Sequence, residues 1–417
     1  MNLIKTSLLS GFATIIKILI GFVLNKILAV YVGPSGVALL GQFNNYSGVL
    51  TTFGNGGINS GVTKYIAEYS GDKDRQQEFV STSLSIAFYC SLLFGCINYY
   101  FAEEISVYLF NSKEYIIVFQ IFAVTLVFTS MNSTLLSILN GYKQIKIYIA
   151  VGILNNFTAL AMTYLLAVKY HVLGALLSVV LTQSIVCITT LLVVRRFEWF
   201  NLCFLKEKLN RVVVVDLSRY TFMAITSACI VPVSQIVVRN YLAEHLSLDE
   251  AGCWQAVWKI SEVYLMVITT SLSTYYLPRL SEITDKEELK QEIFRGYKII
   301  LPVTIAMAFG IYVLRDYIIL ILFTPKFMPM KELFLFQLIG DVLKITSWLL
   351  AFLMLAKAMT RLFIISEIIF GFSFVALTYI FVNKYGLVGI TYAYALNYLA
   401  YLILMVVVIG KKILKKS

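Results

Sequence analysis

The chain has 417 residues, of which 59% are hydrophobic and only 14% charged, with a mean hydropathy of +0.82 and a formal net charge of +11. A soluble globular protein carries roughly a quarter charged residues, so this composition excludes one; apolar runs recur with no soluble-sized block between them, which predicts one polytopic membrane domain without an appended catalytic domain. In such a protein a positive balance reads as Lys and Arg in cytoplasmic loops rather than as the mark of a nucleic-acid partner.

Crossing a bilayer core takes about 20 apolar residues. Runs of that length predict twelve helices, over 7–30, 37–60, 80–101, 115–139, 146–168, 172–194, 217–242, 251–277, 298–322, 332–356, 361–382 and 387–410. The first run is interrupted by Lys17 and Lys26 and is followed by no A-x-A cleavage pattern, so it reads as an uncleaved span rather than a signal peptide. At 100° per residue the two lysines differ by about 180° on a straight helix. Lys17 is the deeper and a candidate to line a cavity. Lys26 is nearer the outer end, where it could snorkel.

The second run, GQFNNYSGVLTTFGNGGINSG, is unusually polar. Its Asn44, Asn45, Asn55 and Asn59 suit sugar hydroxyls, and Gly54, Gly56 and Gly57 suit a bend or close helix packing. Pro232 predicts a kink in the seventh run, and Arg239 lies near that run's outer end. The eighth carries Lys259 and Glu262 on one face. They read equally as a buried intrahelical ion pair or as a cavity wall with a titratable carboxylate. Trp254, Trp258 and Tyr264 beside them could stack on sugar rings, although an interfacial aromatic belt is the plainer use of the tryptophans. Arg315 and Asp316 are adjacent in the ninth run. The tenth repeats the pattern of the eighth with Asp341 and Lys344, one turn after Gln337, and the eleventh holds Glu367. Charges inside spans are expensive, about 2.5–3.5 kcal/mol on insertion scales, and mark protein interiors or watery cavities.

With a cytoplasmic N-terminus, about 23 of the 34 Lys and Arg fall on the inside and about 7 outside, which predicts both termini on the cytoplasmic side. The six cysteines are scattered without a C-x-x-C, and His171 and His245 lie in different connectors, so neither a disulfide framework nor a metal site is expected. No cofactor is implied.

NKILAVY at 25–31 echoes RNYLAEH at 239–245, and Lys64 in GVTKYIAEY echoes Arg279 in YYLPRLSEI. Both offsets set each span against the one six later, so the halves share one orientation, as in transporters built from parallel repeats. The predicted fold is therefore all-α and integral to the membrane. Two six-helix lobes, 1–194 and 217–417, flank a cytoplasmic linker at 195–216, with substrate held near mid-membrane between the lobes. Lysines predict an anionic substrate, asparagines and aromatics a sugar. A lipid-linked sugar diphosphate has both features; a phosphorylated metabolite or another organic anion also fits.

The opening K-x-S-L, KILAVYVGPSG after the first span, GVTKYIAEY, LSRYTFMAITSA, AGCWQAVWKISEVYL, YYLPRLSEI and FQLIGDVLKITSW stand in an order and spacing that resembles the Wzx branch of the multidrug/oligosaccharidyl-lipid/polysaccharide (MOP) exporter superfamily. Within that branch the chain is similar to O-antigen and enterobacterial common antigen (lipid III) flippases over its whole length. The resemblance implies a MOP/MATE-like fold in a bacterial inner membrane. It implies transfer of an undecaprenyl-diphosphate-linked oligosaccharide from the cytoplasmic to the periplasmic leaflet by alternating access, driven by H⁺ or Na⁺. It also implies functional coupling to a polymerase and a chain-length regulator, with membrane lipids as surroundings. By position, Lys17, Lys26, Arg239, Lys259, Lys344, Asn45 and Asn55 are the substrate-binding candidates, and Glu262, Asp341 and Glu367 the ion-coupling candidates. A multidrug cation antiporter shares the fold but favours acids over lysines in its cavity. A polymerase or ligase of the same pathway would bring a large periplasmic loop, and the outside connectors are short.

Overall fold

A computed structural model describes residues 3–200, 210–283, 285–357 and 359–414. Lys206 and Lys208 of the expected linker, and Lys415 and Lys416 of the tail, lie outside the described residues. The described residues are helical throughout, with no strand among them. In chain order the helices are α1 (Leu3–Tyr31), α2 (Gly33–Gly54), α3 (Asn59–Glu68), α4 (Lys73–Tyr100), α5 (Ala102–Phe110), α6 (Ile116–Gly141), α7 (Ile145–Val194), α8 (Arg211–His245), α9 (Leu248–Ser271), α10 (Leu277–Glu282), α11 (Lys286–Leu322), α12 (Phe334–Ala356), α13 (Thr360–Tyr385) and α14 (Gly389–Leu414). Among the described residues eight stretches are long and apolar enough to cross a membrane; two of them, Ile145–Val194 and Thr360–Ile409, run 50 residues each, long enough for two crossings. The expected spans missing from those stretches are the ones in α2 and α9. Those two helices carry the asparagine-rich face and the Lys259/Glu262 pair.

Contacts divide the chain into two compact units. One comprises 1–32 and 39–232, the other 33–38 and 233–417. The boundary falls at Pro232 inside α8, where the missing N–H breaks the ladder of helical hydrogen bonds.

In the first unit α1 packs on α7, and α6 is central, touching α3, α4 and α7. Phe43 of α2 meets Phe119 and Phe122 edge to face. The expected second span ends early, at Gly54. Gly56 and Gly57 take φ of +67° and +64°, which no continuing helix allows, and the chain re-enters as α3 within what reads in sequence as a connector. A second short helix, α5, occupies the connector between the expected third and fourth spans. The four residues between Glu68 and Lys73 end on Asp72, whose carboxylate caps α4 by accepting from the Arg75 N–H at 3.0 Å.

In the second unit α12 is central, packed on α11 and α14, with α13 against α14. Ser247 caps α9, and the first turn of α2 is stitched to that entrance by Ser35 N–H donating to Asp249 Oδ1 at 3.0 Å. The expected eighth span continues as helix but passes through a π turn at Leu272–Tyr276 before α10. Asp285 caps α11 as Asp72 caps α4, accepting from Glu288 N–H at 2.8 Å.

Two further pairs of features agree with the expected repeat. His171, inside α7, is non-helical with φ 48° and ψ −125°; Gly386, 215 residues on, has φ 60° and ψ −145°. Three residues after each comes a glycine pressed on a carbonyl of the preceding helix. A Cβ on Gly174 would lie 1.9 Å from Leu166 O, and one on Gly389 would lie 2.2 Å from Phe381 O. KYHVLGA at 169–175 and KYGLVGI at 384–390 are thus the same helix-reversing turn, and only the second has glycine where φ is positive. His171→Gly should therefore stabilise the protein by about 1 kcal/mol, against the loss of one weak contact from His171 Nδ1 to Tyr31 O at 3.3 Å. Denaturant titration in detergent checks this; a less stable variant would show that the imidazole contact outweighs the backbone strain.

Candidate functional site

The second unit gathers most of the intramembrane charge. Asp341 on α12 has no exposed surface. Its Oδ2 accepts from Ser261 Oγ at 2.6 Å and Tyr264 Oη at 2.8 Å, both on α9, and its Oδ1 accepts from Tyr394 Oη of α14 at 2.9 Å. One carboxylate therefore ties three helices. Gln337, one turn earlier on α12, donates to Ser261 Oγ at 3.4 Å, while its own buried Oε1 has no partner.

Lys344, one turn after Asp341, is half-buried in a different kind of setting. Its ammonium lies 5.6, 5.0 and 5.5 Å from the ring centroids of Trp258, Trp348 and Tyr398. These are cation–π distances, and three rings from α9, α12 and α14 make a cage. Asp341, Glu262 and Glu367 lie within electrostatic reach of it. Among the described residues none accepts a hydrogen bond from this ammonium, so the three donors of a lysine are uncommitted.

Lys259 and Glu262 share a face of α9 but form no direct ion pair among the described residues. Glu262 instead accepts from Trp258 Nε1 at 2.8 Å, one turn back on its own helix. The expected choice between ion pair and cavity wall thus falls against the pair. Lys259 is half-buried and Glu262 is exposed. Arg239, on α8 in the same unit, is 2% exposed; its guanidinium donates to Gln255 Oε1 and covers the Trp254 ring at 5.5 Å. Trp254 and Trp258 are 0% and 7% exposed. Both are buried in the unit's interior, which corrects the plainer expectation of an interfacial belt. Glu367 is half-buried on α13.

The remaining candidates belong to the first unit. Lys17 is exposed on α1 and Lys26 is half-buried, with a neighbour it interacts with. Asn55 is 5% exposed and lines a polar pocket; Asn45 does not line it, because that face of α2 runs through Asn44, Ser47, Thr51 and Asn55 in steps of three or four residues, and Asn45 is about 100° away. Sequence reasoning named Trp258 and Tyr264 only as rings to stack on sugars, and missed Ser261 and Tyr394 at Asp341 and Trp348 and Tyr398 around Lys344. The i, i+3 and i+4 spacing of Trp258, Ser261 and Glu262 is the signal that was available for part of them. Nothing local marks Tyr394 and Tyr398, which arrive from α14.

A family model described as "Polysaccharide biosynthesis protein" matches residues 3–284. The chain is 32% identical over 404 residues, 96% of its own length and 96% of the relative's, to a lipid III flippase of Escherichia coli (strain K12). The same figures relate it to a lipid III flippase of Shigella flexneri. Among solved structures it superposes with TM-score 0.78 on the inward-facing conformation of a multidrug resistance MATE family transporter of the MOP superfamily, at 14% identity over 95% of this chain and 94% of that one. It superposes with TM-score 0.71 on a MOP superfamily transporter from Pyrococcus furiosus described as having reverse polarity of its binding pocket, at 14% identity over 99% and 97% of the two chains. At that identity these likenesses show the fold, which is MOP/MATE-like.

Proposed function

The chain belongs to the polysaccharide biosynthesis protein family, and from that premise we propose that it is a flippase for an undecaprenyl-diphosphate-linked oligosaccharide, moving it from the cytoplasmic to the periplasmic leaflet of a bacterial inner membrane by alternating access. The observation that carries the chemistry is Lys344. Burying part of a cation without a hydrogen-bond acceptor is costly. The cage holds the charge in place and leaves its N–H donors for an anion, which a diphosphate supplies. Lys259, half-buried one turn from Glu262, adds a second uncommitted ammonium in the same unit. Arg239 is largely spent on Gln255 and Trp254, so its contribution is to hold α8 against α9. Lys17 and Lys26 remain proposed contributors from α1.

Coupling to H⁺ or Na⁺ falls to Glu262, Asp341 and Glu367, the acids within reach of Lys344. Of these Glu262 is the most accessible and Asp341 the most enclosed. Both termini are proposed to be cytoplasmic, from the distribution of Lys and Arg. A polymerase and a chain-length regulator are the expected functional partners.

The test is complementation of a bacterium that lacks its own lipid-linked oligosaccharide flippase. Expression of this chain should restore surface polysaccharide and clear the lipid-linked repeat units that otherwise accumulate on the inner leaflet. Failure with several donor oligosaccharides, at verified membrane expression, would overturn the reading, and drug-export assays would then test the antiporter alternative that shares the fold.

A further inference from the structure

The first unit contains a pocket of about 450 Å³, well within the size range of small-molecule sites. It is walled by α2, the turn after it, α3, α6 and α7, and no charged side chain lines it. Its polar groups fall into two sets. Some are already spent. Ser47, Thr52 and Thr129 donate to carbonyls of their own helices at 3.1, 2.9 and 3.1 Å. Asn55 Oδ1 accepts from Gly57 N–H at 2.9 Å, and Asn132 Oδ1 from Thr190 Oγ at 2.8 Å.

The other set has no partner among the described residues. It includes the side-chain NH₂ groups of Asn55 and Asn132, residues only 5% and 3% exposed. It includes Asn59 Oδ1, a buried acceptor without a hydrogen bond. It also includes the whole side chains of Thr51 and Gln183. Of these groups Asn59 Oδ1 is fully enclosed, while the others face the open space of the pocket; polar side chains that converge on one cavity point to a ligand.

The character of the orphans selects its chemistry. Amides and a hydroxyl offer donors and acceptors in about equal measure and carry no net charge. A phosphate or carboxylate would find no cation here, and an organic cation would find no acid. Sugar hydroxyls and acetamido groups are both donors and acceptors. Phe43 and Phe122, packed edge to face at 5.5 Å, supply the apolar wall that the C–H face of a pyranose requires. We infer that this pocket binds one uncharged sugar residue of the transported oligosaccharide and selects for it. The inference rests on the flippase reading for the word transported, while the binding itself does not.

Thr51→Val with Gln183→Leu removes two orphan side chains without breaking any internal hydrogen bond among the described residues, so folding is preserved. The full chain in detergent would be examined by saturation-transfer NMR with N-acetylglucosamine, galactose and glucuronic acid as probes. We expect transfer to at least one neutral sugar, about tenfold weaker in the double variant, and less to glucuronic acid in both proteins. Equal transfer from wild type and variant, or a preference for glucuronic acid, overturns the inference. In flippase-deficient cells the double variant should restore at least about tenfold less surface polysaccharide than wild type at equal membrane expression. Full restoration by both would sink the sugar pocket and leave the flippase standing. Variant-sensitive binding of a neutral sugar by a protein that complements no strain would do the reverse.

Discussion

Asp341→Ala is expected to leave little folded protein in the membrane. The carboxylate receives hydroxyl donors from Ser261, Tyr264 and Tyr394, all at 2.9 Å or less, and through them α12 holds α9 and α14. Alanine strands all three hydroxyls in a region where Asp341, Ser261, Tyr264 and Tyr394 are 0%, 4%, 7% and 2% exposed. Each buried polar group left unsatisfied costs about 1–3 kcal/mol, so a loss of at least about 3 kcal/mol is expected, a large part of the roughly 5–15 kcal/mol that holds a domain together. Asp341→Asn is a different experiment. The carboxamide keeps the shape and one acceptor oxygen, and a tyrosine hydroxyl can turn to accept from its NH₂. That variant should fold, at a cost of about 1–2 kcal/mol. Monodispersity in detergent and denaturant midpoints separate the two. An alanine variant as stable as wild type would show that the three hydroxyls find other partners and that the anchor is not one. Transport by the folded asparagine variant then decides the second role. Wild-type transport would remove Asp341 from the coupling acids and leave Glu262 and Glu367.

Hydropathy made the long helices legible, because a bilayer demands about 20 apolar residues whatever the fold. It made α3 and α5 illegible for the same reason. NSGVTKYIAE and AEEISVYLF are too short and too polar to register, and α3 is helical because Gly56 and Gly57 turn the chain back onto α6. In the site, Asp341, Lys344 and Lys259 were visible as charges where charges are costly. Their roles were not. Spacing of i and i+3 correctly put Lys259 and Glu262 on one face, but a face does not fix a partner, and Trp258 took the carboxylate. Asn45 and Asn44 differ by one position and thus by 100° of helix; only the phase set by packing shows that Asn44 lines the pocket. Tyr394 and Tyr398 were lost among 27 tyrosines, a residue type that also crowds membrane interfaces, and their meeting with α12 is a long-range contact with no local trace. The helix-reversing turn was legible in principle, since KYHVLGA and KYGLVGI differ chiefly at the position of positive φ, where histidine disguises what glycine would announce.

Lys344→Met should abolish transport while leaving the protein at least as stable as wild type. Methionine matches the length of the lysine stem and fits against aromatic rings. It also removes a half-buried ammonium for which no acceptor is present among the described residues, and replacing buried charge by a packed apolar group is often neutral or stabilising. If the lysine served the fold, its loss would cost stability. What methionine cannot do is bind an anion. Hydrogen bonds to a charged group contribute about 1.5–3 kcal/mol, so losing even one to a diphosphate lowers affinity about 10- to 100-fold. Lys344→Arg keeps the charge and stacks on the same rings, but its planar fork does not place donors where an ammonium does, and partial transport is expected from it. Complementation and denaturant midpoints on the two variants, at equal membrane levels, give the reading. Methionine transporting like wild type would remove Lys344 from the substrate site. Methionine inactive but destabilised would make it structural. Methionine inactive and stable, with arginine between, is the pattern of a cation kept in an unfavourable place for the sake of its ligand, and it would assign the cage of Trp258, Trp348 and Tyr398 the task of holding that cation ready.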